Sequence, residues 1–313
     1  MSFIDCALEV LPRDLTAYRA GNTGVDYVHR FESARPGPHV LVNALTHGNE
    51  LCGMVAATHL LDAGVRPRVG TLTVSFANVA AYESFDASRP FDSRQLVHNL
   101  NRVWSGERLD GDEDSPELRR VRELRPFVAA ADHILDLHST SQEVEPFWVY
   151  PSFGRNAQAA TAIGLPAVHL TMPRGLGAGT PLIQHGRHGD VSSDAGVAVV
   201  AECGQHFSRS SSEVAIEVSL RFLEYFGLIE REPALAALPK LPQRRYELLE
   251  TYVIRTPDFH FARPVIGFET FERGELVATD GLEELRAPEA CTILMPTRAP
   301  VVGHEGMYLA RAL

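Results

Sequence analysis

His39-Val40-Leu41-Val42-Asn43-Ala44-Leu45-Thr46-His47-Gly48-Asn49-Glu50 sets the reading of the whole chain. Its first part is an apolar run entered through the turn cluster Arg35-Pro36-Gly37-Pro38, the pattern of a buried strand. The run stops at Leu45, and an imidazole and a carboxylate follow three residues apart, His47 and Glu50. That spacing is half of a metal site. A zinc ion in a hydrolase takes three protein ligands from His and carboxylate and keeps a fourth position for water. A third ligand is therefore expected downstream, and His138, after another apolar run, supplies one.

Working outward, Leu51, Met54, Val55, Thr58, Leu60 and Leu61 recur at nearly helical spacing until Gly64 and Pro67, so a helix is expected from Glu50 to Ala63. Thr71 to Phe76 alternates with period two and is β-branched, a strand signature. The stretch from Ala77 to Gly111 is polar and aperiodic, a long loop that carries Arg94, Asn99, Asn101 and Arg102. Ser115-Pro116-Glu117 opens a helix expected to reach Ala131, and His133 to Leu137 reads as a buried strand. A helix from Arg155 to Ile163, a strand at Ala167 to Leu170 and a strand from Val197 to Glu202 continue the alternation. Between the last two, Pro173 to Asp194 is rich in glycine and reads as a flexible loop. Ser210-Ser211-Ser212-Glu213 matches a capping box before a helix reaching Phe226. Pro233, Pro239 and Pro242 mark a linker, and the remainder has turn signals at short intervals.

This alternation implies an α/β fold: a mixed, largely parallel sheet with helices on both faces within residues 1–240, and a small C-terminal β domain over residues 246–313. In such sheets ligands collect beyond the carboxyl ends of the strands. His47, Glu50, His138 and Glu202 all fall at such ends, and their joint placement carries more weight than any one of them.

Composition narrows the partners. The 313 residues are 45% hydrophobic, enough for a substantial core, and the net charge of −11 argues against nucleic acid, whose binding needs a basic face. There is no apolar run long enough to span a bilayer and no signal-peptide pattern at the start, so a cytoplasmic protein with no membrane partner is expected. Cys6, Cys52, Cys203 and Cys291 are scattered, which indicates buried small side chains and neither a disulfide framework nor a thiolate metal site.

The motifs resemble the aspartoacylase and succinylglutamate desuccinylase branch of the zinc carboxypeptidase superfamily. Thr46-His47-Gly48-Asn49-Glu50 looks like its first ligand motif, Asn99-Leu100-Asn101-Arg102 like its Asp-Leu-Asn-Arg element, Asp136-Leu137-His138-Ser139-Thr140 like its second ligand motif, and Ala201-Glu202-Cys203-Gly204 like its Val-Glu-x-Gly element. The resemblance implies one zinc held by His47, Glu50 and His138, with Glu202 as general base and acid. It further implies that Arg94 polarises the scissile carbonyl while Asn101 and Arg102 hold a substrate α-carboxylate. The chemistry agrees: a carboxylate beside the cation accepts a proton from water, and a guanidinium stabilises a developing oxyanion or grips a carboxylate. Asp136 reads either as an orienting partner of His138 or as a strand-end cap.

The sequence departs from the family in places. Asn99 stands where Asp is common, and Ser192-Ser193-Asp194 occupies the place of the basic residue that grips the acidic side chain of N-acetylaspartate. Arg174 and Arg187 are substitutes for that residue, and Tyr308 is the candidate for a late tyrosine of the site. His185 and His188 form a rival metal pair, set aside because they sit among glycines. The expected activity is hydrolysis of a small N-acyl amino acid by a deacylase. A zinc carboxypeptidase acting on short peptides is the alternative, a catalytically silent zinc protein a third reading, and a homo-oligomer is left open.

Overall fold

The computed structural model describes residues 7–175, 178–192, 196–230 and 241–313. Cys6, the Ser193-Asp194 pair and the linker prolines Pro233 and Pro239 lie outside the described residues. The first part contains β1 (Val28–Glu32), β2 (His39–Ala44), α1 (Leu51–Asp62), β3 (Thr71–Phe76), α2 (Val79–Glu83), α3 (Gly106–Asp110), α4 (Pro116–Ala130) and β4 (His133–Thr140). β5 (Phe147–Pro151), α5 (Gly154–Ile163), β6 (Val168–Met172), β7 (Ala198–Gln205) and α6 (Arg209–Tyr225) follow. The C-terminal part is all strand: β8 (Arg244–Val253), β9 (Phe259–Phe261), β10 (Thr270–Phe271), β11 (Leu276–Asp280), β12 (Glu283–Arg286), β13 (Cys291–Leu294) and β14 (Glu305–Ala312).

Among the described residues the main sheet runs β1-β3-β2-β4-β7-β5-β6-β8-β14-β13-β10, and β12-β11-β9 form a separate small antiparallel sheet. Its centre, β3-β2-β4-β7, is parallel. The expectation of a mixed sheet with a C-terminal β portion is therefore met. The sequence reading did not foresee that β8 pairs with β6, so that strands of the C-terminal part extend the main sheet.

Side-chain alternation builds the two apolar layers. Val40, Val42 and Ala44 of β2 join Leu135, Leu137, Val199 and Ala201 under α1, α5 and α6, whereas Leu41, Ile134, Ala198 and Val200 face the opposite layer with Leu118, Val121, Leu124 and Val128 of α4. Each buried Val, Leu or Ile among them contributes roughly 2 kcal/mol. Ser115 caps α4 as expected, its Oγ accepting from Leu118 N at 3.1 Å. The capping box expected at Ser210 is not the cap of α6: Arg209 already lies in the helix and Ser208 is the N-cap residue.

Two strands run further than the apolar pattern indicated. β4 continues through His138 to Thr140 and β7 through Glu202 to Gln205, because the polar ends pair with each other, His138 with Glu202 and Thr140 with Gln205. His138 and Glu202 are thus within strands rather than beyond them, side by side on the same face. Within the described part of the stretch from Pro173 to Asp194, short 3-10 turns form at Leu182–Gln184 and Gly186–Gly189, with His185 and His188 buried.

Candidate metal and catalytic site

The turn after β2 places the first two candidate ligands. Leu45 adopts a left-handed backbone with φ of 57°, a conformation that costs a non-glycine residue about 1 kcal/mol or more and is found where function constrains the chain. Gly48 follows at a close approach of segments, where a Cβ would lie 2.4 Å from both Ser93 O and Tyr82 N. No side chain fits there. The turn delivers His47 and Glu50, both almost fully buried, at the N-terminal end of α1.

Glu50 stands between the two imidazoles. Its Oε1 is 2.7 Å from Nδ1 of His47 and its Oε2 is 2.9 Å from Nδ1 of His138. One donor atom from each of the three residues lies within 4.8 Å of the others. The opposite ring nitrogens are fixed from outside: His138 Nε2 donates to Asp136 Oδ2 at 2.8 Å, and His47 Nε2 donates to Asn99 Oδ1 at 2.9 Å. Asp136 is therefore the orienting partner of His138 rather than a strand-end cap. Its other oxygen accepts from Asn43 Nδ2 and Thr46 Oγ1, each at 2.8 Å.

With both Nε2 atoms committed as donors, each Nδ1 presents a lone pair to a carboxylate oxygen unless a positive species lies between them. A proton or a cation meets that requirement. The electrostatics agree: burial opposes ionisation of Glu50, but the two imidazoles hold its carboxyl well below the usual range. Burial also opposes the charge on His138, yet Asp136 and Glu50 raise its pKa well above the ordinary value. His47 falls to about 4, through burial and the charge of Arg94. A buried N, N, O donor set with outward-facing nitrogens anchored by hydrogen bonds suits a divalent metal ion. Among the described residues, His47, Glu50 and His138 form the group that could hold one.

Glu202 stands beside His138 on the neighbouring strand. Its Oε2 is buried and has no hydrogen-bond partner among the described residues, and burial pushes its pKa up to about 8, the Glu50 charge adding to the effect and His138 and Arg94 opposing it. Such a carboxyl is poised to exchange a proton near neutral pH. Arg94, half-exposed, donates from Nη1 to Glu50 Oε1 at 3.2 Å and, among the described residues, pairs with no other carboxylate. Ser139 Oγ and His206 Nδ1 are 2.8 Å apart, so His206 packs beside the strand that carries His138.

Asn101 and Arg102 sit on a 3-10 turn, Leu100–Arg102, capped by Asn99 Oδ1 on Asn101 N at 2.9 Å. Asn101 Oδ1 accepts from Leu182 N at 3.0 Å. Arg102 is engaged by a residue the sequence reading missed. Its Nε and Nη2 grip Glu305 at 3.0 and 2.6 Å, Nη2 also donates to Tyr308 Oη at 3.0 Å, and Nη1 donates to Asn101 O at 2.8 Å. Tyr308 in turn donates to Glu305 Oε2 at 2.6 Å. No local signal in the sequence marks Glu305 as a partner of an arginine 203 positions away.

The remaining candidates lie elsewhere. His185 Nδ1 donates to Trp104 O at 2.7 Å and His188 Nε2 to Ala131 O at 3.1 Å, so the rival pair serves two backbone carbonyls. Arg187 is tied to Ala131 O and Asp132, and Arg174 is exposed. Cys52, Cys203 and Cys291 are free and buried, as expected.

Residues 36–201 match the family model of the succinylglutamate desuccinylase/aspartoacylase catalytic domain, a span that contains His47, Glu50, Arg94, Asn101, Arg102 and His138. The chain belongs to that family. The desuccinylase/aspartoacylase match stops one residue before Glu202 and excludes Glu305 and Tyr308. An N-acyl-aromatic-L-amino acid amidohydrolase (carboxylate-forming) of Xenopus laevis is 30% identical over 118 residues, a match spanning 35% of this chain and only 36% of that protein. The fold is shared with a succinylglutamate desuccinylase of Vibrio parahaemolyticus, at a TM-score of 0.66 and 19% identity over 92% of this chain and 86% of that one. It is also shared with the product-bound ectoine utilization protein EutE (DoeB) of Ruegeria pomeroyi, at 0.64 and 18% over 91% and 87%. Among the described residues no helix is long and apolar enough to cross a membrane.

Proposed function

We propose that this protein is a zinc-dependent amidohydrolase that cleaves a small N-acyl amino acid into a carboxylic acid and a free amino acid in the cytoplasm. The observation that carries the reading is the unpartnered, buried oxygen of Glu202 beside the His47–Glu50–His138 group. Zinc held by those three side chains supplies Lewis acidity toward water and a carbonyl oxygen.

The chain's own residues do the rest. Glu202 takes a proton from the attacking water and returns it to the leaving amine, a role suited to a carboxyl whose pKa stands near 8 before the cation's charge lowers it. Arg94 turns its free N–H groups toward the oxyanion that develops as the carbonyl becomes tetrahedral. Asn101 and Arg102 take the α-carboxylate, Arg102 through its remaining Nη1–H, since its other N–H bonds serve Glu305, Tyr308 and Asn101. Asp136 and Asn99 keep both imidazoles in the tautomer that leaves Nδ1 for the cation. Residues 1–240 are taken as the catalytic domain and 246–313 as a β domain that contributes Glu305 and Tyr308 to its edge.

The test is a panel of N-acyl amino acids and tripeptides offered to zinc-loaded protein. N-acyl amino acids are expected to turn over at least tenfold faster. Faster cleavage of tripeptides would transfer the reading to a carboxypeptidase.

A further inference from the structure

The two imidazoles of the metal group are held from behind by different chemistry. His138 Nε2 donates to the Asp136 carboxylate, whereas His47 Nε2 donates to the amide oxygen of Asn99. An amide can be turned end for end, but here the choice is forced. The same Asn99 oxygen accepts from Asn101 N at 2.9 Å, a backbone donor whose direction is fixed, so reversing the amide would set its NH2 against that N–H. Asn99 therefore accepts from His47 and fixes its tautomer without placing a negative charge behind it.

A carboxylate behind a ligand imidazole fixes the ring and also makes it a stronger electron donor, and such outer partners are typically worth 10 to 100-fold in metal affinity. A neutral amide fulfils the first task and omits the second. Asp136 fulfils both for His138, and its buried charge is supported by Asn43 and Thr46. Asn99 is only partly buried, so a carboxylate would be tolerated at its position.

We propose that Asn99 is a positioning residue for His47 whose neutrality holds zinc affinity below the level that a carboxylate in its place would give. The inference rests on the zinc reading above. Its physical consequence is a metal gripped firmly from the His138 side and loosely from the His47 side, with more of its charge left for substrate than two anionic supports would leave.

The experiment measures zinc dissociation constants of the full-length protein, stripped of metal, by competition with a fluorescent zinc chelator. Three forms are compared: wild type, Asn99→Asp and Asn99→Ser. Ser retains the cap on Asn101 but is too short to reach His47. Asn99→Asp is expected to bind zinc about 10-fold more tightly, and Asn99→Ser about 10-fold or more weakly. A structural role alone would move both variants in the same direction, so opposite signs support the proposal. Asn99→Asp binding no tighter than wild type, or Asn99→Ser matching wild type, overturns it. Wild-type protein that takes up no zinc refutes the function reading itself, and that outcome is distinct from equal affinities among proteins that all bind.

Discussion

Replacing Glu202 by Gln should lower activity and make the stability difference from wild type depend on pH, and the size of the second effect follows from the structure. Burial raises the Glu202 pKa to about 8, against the ordinary glutamate value of 4.5 that describes the unfolded chain. A carboxyl whose folded pKa is raised stabilises the fold fully below the unfolded value, and the contribution is lost as pH climbs through the folded one. Summing the proton-binding terms gives a loss of about 1 kcal/mol at pH 5 and about 4 kcal/mol at pH 8 in metal-free protein. Glutamine does not ionise and escapes the loss, although its NH2 group is buried without a partner at a cost of about 1 to 3 kcal/mol that does not vary with pH. The pH dependence of the difference is therefore the diagnostic: relative to wild type, the metal-free variant should gain about 3 kcal/mol between pH 5 and pH 8, or roughly 6 °C in melting temperature for a chain of this size. Zinc-loaded Glu202→Gln should lose about 10² to 10⁴ in kcat while retaining its metal. Thermal melts at the two pH values and kcat alongside zinc content make the test. A melting difference that does not change with pH refutes the burial argument, and a fully metallated variant with more than a tenth of wild-type activity removes Glu202 from the mechanism.

His138→Ala and His47→Ala should each lose the zinc found in wild type, measured as metal per chain after gel filtration; full retention in both would disprove the ligand assignment. Glu305→Ala leaves the Arg102 guanidinium, only 11% exposed, without its carboxylate and should cost about 3 to 5 kcal/mol by denaturant unfolding at pH 7. Against burial, Arg102 holds the Glu305 carboxyl below its ordinary value, so this stabilisation is present above the unfolded pKa and disappears as pH falls through the lowered one. The gap between wild type and variant should close in acid, and a constant gap would show that packing rather than charge is lost.

Much of the fold was legible because the central strands are plain in composition. β2 and β3 are mostly apolar or β-branched, and α4 carries its cap and N-terminal proline in sequence. β1 escaped notice because it is an edge strand that mixes Val28 and Phe31 with His29, Arg30 and Glu32, so no clean alternation survives. The ends of β4 and β7 were set too short for a related reason: the residues that extend them are polar and find partners across the ladder, which apolar periodicity cannot register. The metal group was readable since His47 and Glu50 are neighbours in sequence and His138 follows a clear strand. Glu305 was not, because its meaning comes from a long-range ion pair. The glycine-rich stretch misled in the opposite sense: its histidines looked free but satisfy the carbonyls of Trp104 and Ala131.

The grip of Glu305 on Arg102 joins the last strand of the chain to a loop of the catalytic segment. Grafting this catalytic segment onto a C-terminal part that lacks a carboxylate at the place of Glu305 would therefore transplant an arginine without the partner that neutralises it. The chimaera would inherit a crevice more positive by one charge, drawing anionic substrates more strongly yet resting on a weaker scaffold. On the substrate role proposed for Arg102, substrate preference becomes a property of two distant parts of the sequence, and neither can be exchanged alone without altering the charge that the other presents.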